Sequence, residues 1–187
     1  VIILNGGDNT VMAGAGNDSI TASGGTNTIA TDGGANTVVL AGGSNTVTGG
    51  TGSDSITTTS GTNVISAGEG TDTIHLNGGF NTVSAQAGND SISASSGDNT
   101  IDAGEGSDVI TLNGGNNSIQ GNSGTDSITA TGGTNVIDGG LDNDTILLNN
   151  GTNTANAGEG DDSITAAGGD NTIDAGAGLN TISLNGG

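Results

Sequence analysis

GGTGSDSIT at residues 49–57 is one of twenty nine-residue units that follow one another from Leu4 without an insertion or deletion. AGAGNDSIT at residues 13–21 and AGEGTDTIH at residues 67–75 have the same form. The fourth residue of a unit is Gly except at Asp142, the sixth is always Asp or Asn, and the eighth is Ile or Val except at Ala155. Repetition this regular predicts a solenoid, in which each unit packs mainly against its neighbours.

The sixth residue of each unit sets the size of one coil. Asn fills it in every odd unit and Asp in every even unit, with Asn36 and Asn180 as the two exceptions. Each unit reads as a short β-branched strand followed by a Gly-rich turn. Two units per coil would stack Asp on Asp and Asn on Asn, whereas three would mix them. The sequence therefore predicts an all-β fold, a parallel β-roll or two-sided β-solenoid of 18 residues per coil and about ten coils.

A longer period describes the packing between coils. The first residue of the odd units alternates between Leu, as at Leu40 and Leu76, and a small residue, as at Thr58 and Ala94. Large above small lets neighbouring layers interdigitate. We expect residues 1–187 to form a single β-roll segment, and a chain that begins and ends inside a repeat is expected to be a fragment of a longer repeat protein.

The composition raises the question of what stabilises such a rod. The chain has 39 Gly, no Cys, no Lys or Arg and a net charge of −20. On the odd edge, stacked Asn side chains can form an amide ladder. On the even edge, carboxylates stacked at the strand spacing of ~4.8 Å repel one another by about 1 kcal/mol even in water. Because the chain carries no basic residue except His75, we expect a bound cation to relieve that repulsion.

The nine-residue units resemble those of the RTX family. The nonapeptide of that family, G-G-x-G-x-D-x-U-x with U a large apolar residue, forms a calcium-binding parallel β-roll. GGTGSDSIT matches every fixed position, and AGAGNDSIT, AGEGTDTIH, AGEGSDVIT and AGEGDDSIT lack only the first Gly. The resemblance implies that Asp carboxylates and turn carbonyls of successive coils enclose each Ca²⁺. Oxygen-only ligands also suit a hard cation such as Ca²⁺.

Carried over residue by residue, the resemblance gives eight metal ligands on the even edge: Asp18, Asp54, Asp72, Asp90, Asp108, Asp126, Asp144 and Asp162. The odd turns, such as LNGGDN, lack this Asp, so we expect several Ca²⁺ ions on one edge only. The alternative is that these Asp residues only accept turn hydrogen bonds and keep the rod soluble.

The other residues offer little support for catalysis or nucleic-acid binding. His75 is a single exposed side chain, and Glu69, Glu105 and Glu159 lie in turns where nothing builds a pocket. Arg, Lys, Cys and Tyr are absent, so oxyanion stabilisation, phosphate binding and nucleophilic catalysis lack their usual parts. We therefore predict no catalytic residue, no cofactor other than calcium, no nucleic-acid partner and no membrane insertion.

The favoured function is a structural, calcium-binding repeat segment of a secreted or cell-surface protein, such as a fibrous adhesin, surface-layer or filament component. End-to-end self-association into fibres is a further expectation, because open strand edges invite continuation. The alternative is an ice-binding or glycan-binding module, since sixteen of the twenty outward positions after the even turns are Ser or Thr. A carrier domain of a secreted hydrolase is a third possibility.

Overall fold

The computed structural model describes residues 1–186. They form 21 β-strands: β1 Ile2–Leu4, β2 Asp8–Met12, β3 Ser19–Ala22, β4 Thr26–Ala30, β5 Thr37–Leu40, β6 Ser44–Thr51, β7 Ser55–Thr58, β8 Thr62–Glu69, β9 Thr73–Leu76, β10 Phe80–Ala87, β11 Ser91–Ala94, β12 Asp98–Glu105, β13 Val109–Leu112, β14 Asn116–Ser123, β15 Ser127–Ala130, β16 Thr134–Leu141, β17 Thr145–Leu148, β18 Thr152–Glu159, β19 Ser163–Ala166, β20 Asp170–Asp174 and β21 Thr181–Leu184. None of these residues forms a helix with the length and apolar character needed to cross a bilayer.

The strands make two parallel sheets. The first sheet contains the odd-numbered strands in chain order, and the second contains the even-numbered strands in chain order. Each strand pairs with the strands one coil before and one coil after, so that Ile92 aligns with Ile74 and Ile110, both 18 residues away. The predicted two-sided solenoid of 18 residues per coil is confirmed.

The apolar side chains lie between the two sheets. From Val11 to Ile164, the eighth residues of the units form one continuous buried stack, which includes Ile56, Ile65 and Ile74. Beside them, Leu76 aligns with Ala94 and Ala94 aligns with Leu112 along the first sheet. The predicted alternation of large and small residues is therefore present, and it lets a flat coil fill its interior without aromatic side chains.

The two sheets differ in strand length, which the repeat alone did not indicate. Strands of the first sheet after β1 have four residues, but seven central strands of the second sheet, such as β8, have eight. These longer strands continue into the even turn, where Gly50 pairs with Gly68 and Thr51 with Glu69. The even turn is consequently held to its neighbours by backbone pairing, and this fixes the position of the Asp that follows it.

Candidate metal centre

The predicted Asp ligands lie in a straight file along the edge where each even turn enters a strand of the first sheet. Seven of them are at most 3% exposed: Asp54, Asp72, Asp90, Asp108, Asp126, Asp144 and Asp162. Asp18, in the first coil, is half-buried, and Asn36 occupies the position between Asp18 and Asp54. The structure thus brings the predicted residues together, and their role as calcium ligands stays a prediction.

One oxygen of each buried carboxylate has a hydrogen-bond donor. The backbone N–H of Asp72 donates to Oδ1 of Asp90 at 2.7 Å, and the N–H of Asp90 donates to Oδ1 of Asp108 at 2.7 Å. The same bond recurs from one coil to the next, from the N–H of Asp18 to the side chain of Asn180. This ladder fixes the orientation of every carboxylate. The sequence analysis missed it, although it follows the same 18-residue period as the Asn positions.

The second oxygen of each buried carboxylate, Oδ2, has no hydrogen-bond donor. Among residues 1–186, Oδ2 of all seven buried Asp residues is inaccessible to solvent and accepts no hydrogen bond. A buried polar atom without a partner costs about 1–3 kcal/mol, and more when it is charged. No Lys or Arg exists in the chain to neutralise it. The file is therefore a line of buried, uncompensated acceptors.

Burial raises the pKa of six of these carboxyl groups. Loss of solvation raises the pKa of Asp90 and of Asp144 to about 7 and that of Asp126 to about 6, and neighbouring carboxylates add to the shift. The pKa of Asp54, Asp72 and Asp108 is raised by the same loss of solvation. The backbone N–H donors on Oδ1 reduce the shift but do not cancel it. A group in this state is stabilised either by a proton or by a cation.

The two Asn residues in the file show what surrounds the second oxygen. Their Oδ1 atoms accept the same backbone bond, but Nδ2 of Asn36 donates to the carbonyl of Gly34 at 3.1 Å and Nδ2 of Asn180 donates to the carbonyl of Ala175 at 2.6 Å. An Asp in the same pose directs Oδ2 at a carbonyl oxygen, with no hydrogen between the two acceptors. Only a positive species between them makes that arrangement favourable.

Carbonyls from the next coil converge on the same region. A Cβ atom added to Gly49 would lie 2.5 Å from Oδ2 of Asp54 and would also touch the carbonyl oxygen of Ala67. These two oxygens are therefore close to the same point. No group of three or more His, Asp or Glu side chains gathers around one point in residues 1–186. Carbonyl oxygens must therefore complete any ligand set. Carboxylate and carbonyl oxygens are the donors that Ca²⁺ uses, so the residues present fit this ion.

The opposite edge, which carries the Asn residues, has no such buried, unpartnered Asn oxygen among residues 1–186. Nδ2 of Asn63 donates to Oδ1 of Asn81 at 2.8 Å, and Nδ2 of Asn81 donates to Oδ1 of Asn99 at 2.7 Å. The ladder runs from Asn9 to Asn171, and most of its Nδ2 atoms also donate to a turn carbonyl within the same coil. The predicted amide ladder is present, and this edge satisfies its buried side chains without an ion.

The remaining acidic and basic side chains lie outside the file. Glu69, Glu105 and Glu159 are exposed on the even turns. His75 is exposed and its Nδ1 contacts Oγ of Ser93 at 2.7 Å on the outer face of the first sheet. Asp142, which stands where every other unit has Gly, adopts a left-handed φ of 74° and so keeps the turn's conformation.

Comparison with known families accounts for the repeat. The model of the RTX calcium-binding nonapeptide repeat, which spans four copies, matches residues 4–38, 41–74, 75–110, 111–146 and 148–182. No curated protein and no solved structure matches the chain. The family match covers nearly the whole sequence, and the parallel two-sided solenoid is the fold that such repeats form. The chain belongs to the RTX calcium-binding repeat family.

Proposed function

We propose that the Asp edge binds a line of Ca²⁺ ions and that these ions hold the rod in its folded form. The observation that carries this proposal is the file of seven buried Oδ2 atoms without a partner. Asp54, Asp72, Asp90, Asp108, Asp126, Asp144 and Asp162 would supply the side-chain ligands, and Asp18 would contribute in the first coil. Calcium, when bound, supplies positive charge between successive coils, where the chain has none.

The chain's own residues prepare the site for the ion. The backbone ladder orients each carboxylate as the coil forms, so little further side-chain freedom is lost when the ion binds. The same carboxylates oppose folding when they are ionised and bare, because each is buried next to another. The free energy of calcium binding then contributes directly to the free energy of folding, because the site does not exist in the unfolded chain.

A calcium titration tests this proposal. We expect the far-ultraviolet circular dichroism of the chain at pH 8 to change from disordered to β on addition of calcium and to revert with EGTA. A variant with the seven buried Asp residues changed to Asn should fold without calcium. A control variant, with seven outward-facing acids neutralised, removes the same charge and should still require calcium: Glu69, Asp98, Asp102, Glu105, Asp138, Glu159 and Asp170. A β signal indifferent to both calcium and EGTA would refute the proposal.

We further propose that this segment is a structural part of a secreted or cell-surface protein, such as a fibrous adhesin, surface-layer or filament component. RTX repeats form a structural rather than a catalytic domain. Sites made of two carboxylates and carbonyls suit the millimolar calcium found outside cells. Axial continuation, in a longer parent chain or between copies, would extend the same parallel pairing. Secretion with its parent protein, followed by labelling of intact cells, tests the location.

The outer face of the first sheet is a weaker second candidate. Its Ser and Thr residues lie in register, with Ser55 beside Thr73 and Ser127 beside Thr145. This regular hydroxyl array favours ice or a glycan as a ligand, but Val39, His75, Val109 and Leu147 interrupt it. Absence of thermal hysteresis at millimolar concentration, together with no retention on glycan arrays, would remove this candidate.

A further inference from the structure

One even turn, residues 31–36, is built differently from the others. Its first residue is Thr31, where every other even turn begins with Ala or Gly, and its sixth residue is Asn36 instead of Asp. Both side chains are buried, Thr31 completely and Asn36 with 2% of its surface exposed. Because the two departures occur in the same turn, the contacts of these side chains show whether they act together.

Both side chains donate hydrogen bonds to carbonyl oxygens of the Asp edge. The hydroxyl of Thr31 donates to the carbonyl of Gly49 at 2.6 Å, and Nδ2 of Asn36 donates to the carbonyl of Gly34 at 3.1 Å. In the following coil the equivalent of the Gly49 carbonyl, that of Ala67, instead lies close to the unpartnered Oδ2 of Asp54. Thr31 and Asn36 therefore supply, with two donors, what only a cation would supply in the other turns.

The unpartnered acceptors begin only after this turn. Among residues 1–186, the first buried side-chain oxygen without a hydrogen-bond partner is Oδ2 of Asp54. The backbone ladder nevertheless passes through the turn without a break. The N–H of Asp18 donates to Oδ1 of Asn36, and the N–H of Asn36 donates to Oδ1 of Asp54. The coils before Asp54 thus have the geometry of the file without its buried, uncompensated oxygens.

The charge of the chain is divided at the same place. Of the 20 acidic residues, only Asp8, Asp18 and Asp32 lie in residues 1–53, and the other 17 lie in residues 54–187. Repulsion between ionised carboxylates opposes the compact state when no cation is bound. This repulsion is therefore weakest in the first coils, and that observation is independent of the hydrogen bonds of Thr31 and Asn36.

The same coils have a core of their own. Strands β1 to β6 contribute three neighbouring strands to each sheet. Ile20, Ile29, Val38 and Leu40 lie between the two sheets and are at most 1% exposed. Three strands with a packed apolar face exceed the single hairpin, which is at best marginally stable in water. Nothing in this part of the rod requires an ion for its buried groups to be satisfied.

We propose that residues 2–51, strands β1 to β6, form a calcium-independent nucleus on which the calcium-dependent coils are added in chain order. This inference rests on the proposed calcium-dependent folding and assigns its starting point. In a solenoid each coil contacts only its neighbours, so a folded coil is the template for the next one. Because the later coils make up most of the chain, the chain as a whole remains largely disordered without calcium.

Amide hydrogen exchange of the full chain in EGTA at pH 8 tests this inference. An isotope-labelled chain is transferred to deuterated water, and the surviving amide signals are assigned by NMR. We expect slowed exchange within β1 to β6 and fast exchange from β8 to β18. Thr31→Val keeps the shape of the side chain but removes the donor to Gly49, so protection in the nucleus should fall about tenfold or more. Thr31→Ala combined with Asn36→Asp gives the turn its common form, and protection should then require calcium.

Matched variants separate the nucleus from a general effect of hydroxyl or charge removal. Thr28→Val changes an exposed hydroxyl of the same coil and should leave protection unchanged. Asp54→Asn removes the first unpartnered acceptor next to the nucleus, so protection in EGTA should spread into β7 and β8. Asp108→Asn makes the same change far from the nucleus and should produce no new protection. Circular dichroism in calcium shows that each variant still folds.

The outcomes distinguish this inference from the function on which it rests. Fast exchange throughout the chain in EGTA, protection that begins after residue 54, or equal effects of Asp54→Asn and Asp108→Asn would overturn the inference and leave calcium-dependent folding intact. Strong protection of every strand in EGTA would overturn both, because no part of the rod would then need calcium.

Discussion

Asp90→Asn changes one oxygen to an amide nitrogen in the middle of the Asp file. Oδ1 remains to accept the backbone N–H of Asp72, and the unpartnered Oδ2 becomes an NH₂ group. Asn36 shows where such a group binds, since its Nδ2 donates to the carbonyl two residues before it. For an Asn at residue 90 the corresponding acceptors are the carbonyl of Gly88, by analogy with Asn36, and that of Ala85, by analogy with Asn180. The substitution therefore satisfies a buried atom without altering the backbone.

Two contributions set the size of the effect without calcium. Removing an unsatisfied buried acceptor stabilises a fold by about 1–3 kcal/mol. Removing the charge also relieves repulsion from Asp72 and Asp108, each worth about 1 kcal/mol at a strand spacing of ~4.8 Å and the dielectric of water. We expect the calcium-free Asp90→Asn chain to be about 3–5 kcal/mol more stable than the original at pH 8.

In saturating calcium we expect the sign to reverse, because on the proposed function the variant lacks a ligand to the ions on both sides of residue 90. The free energy of unfolding is measured with urea in calcium and, in EGTA, where the original chain is expected to be disordered, by refolding with an osmolyte such as trimethylamine N-oxide. The chain contains no Trp or Tyr, so unfolding is followed by the circular dichroism of the backbone. Glu69→Gln, which removes one exposed charge from the same edge, is the control and should change stability little under either condition.

The reversal of sign is the decisive result. Stabilisation in EGTA with destabilisation in calcium supports the metal edge. An effect of the same sign and size in both conditions, or one equal to that of Glu69→Gln, would show that Asp90 is an ordinary hydrogen-bonding residue.

Two further predictions concern protons and the Asn edge. In EGTA the rod should become more stable as the pH falls from 8 to 5, because folded Asp90 and Asp144, with pKa raised to about 7, and Asp126, raised to about 6, bind protons that the unfolded chain does not hold until about pH 4. This stabilisation is complete below about pH 4 and is lost as the pH rises through 6 to 7; a circular dichroism β signal in EGTA that is unchanged or grows towards pH 8 would contradict it. Asn81→Ala removes the partners of Asn63 and Asn99 and should lower the free energy of unfolding by about 2–4 kcal/mol, equally in EGTA and in calcium. A cost confined to one of these conditions would argue that the two edges are not independent.

Much of this fold follows from the sequence because the repeat has no insertions. A period of nine with alternation at the sixth residue leaves one coil size, and the Leu and Ala alternation at residues such as Leu76 and Ala94 then follows from stacking. The predicted Asn ladder needed only the equal spacing of strands. In each case a local pattern is repeated by symmetry, so one correct coil determines all the others.

The parts that could not be predicted depend on how a turn joins its neighbours. Nothing in AGEGTDTIH states that Glu69 pairs with the next coil and extends β8 to eight residues. The burial of Asp72 follows from that pairing, and so does the bond from its N–H to Oδ1 of Asp90. Sequence reasoning placed the carboxylates in a file but not inside the protein. Burial is what turns a modest surface repulsion into a line of unpartnered acceptors, which the proposed ions would neutralise.

The two edges of the rod have the same spacing and differ at one atom per coil. An Asn side chain carries both a donor and an acceptor, so Asn81 can bond to the residue above and below it and the ladder closes without help. An Asp side chain has acceptors only, so its file must take N–H donors from the backbone for Oδ1, and no donor is left for Oδ2. Asn36 and Asn180 satisfy themselves within the Asp file, which shows that the backbone accepts either residue. On the proposed function, the number of Asp residues in the file sets the dependence on calcium, and each change from Asp to Asn should reduce that dependence by one step without changing the fold.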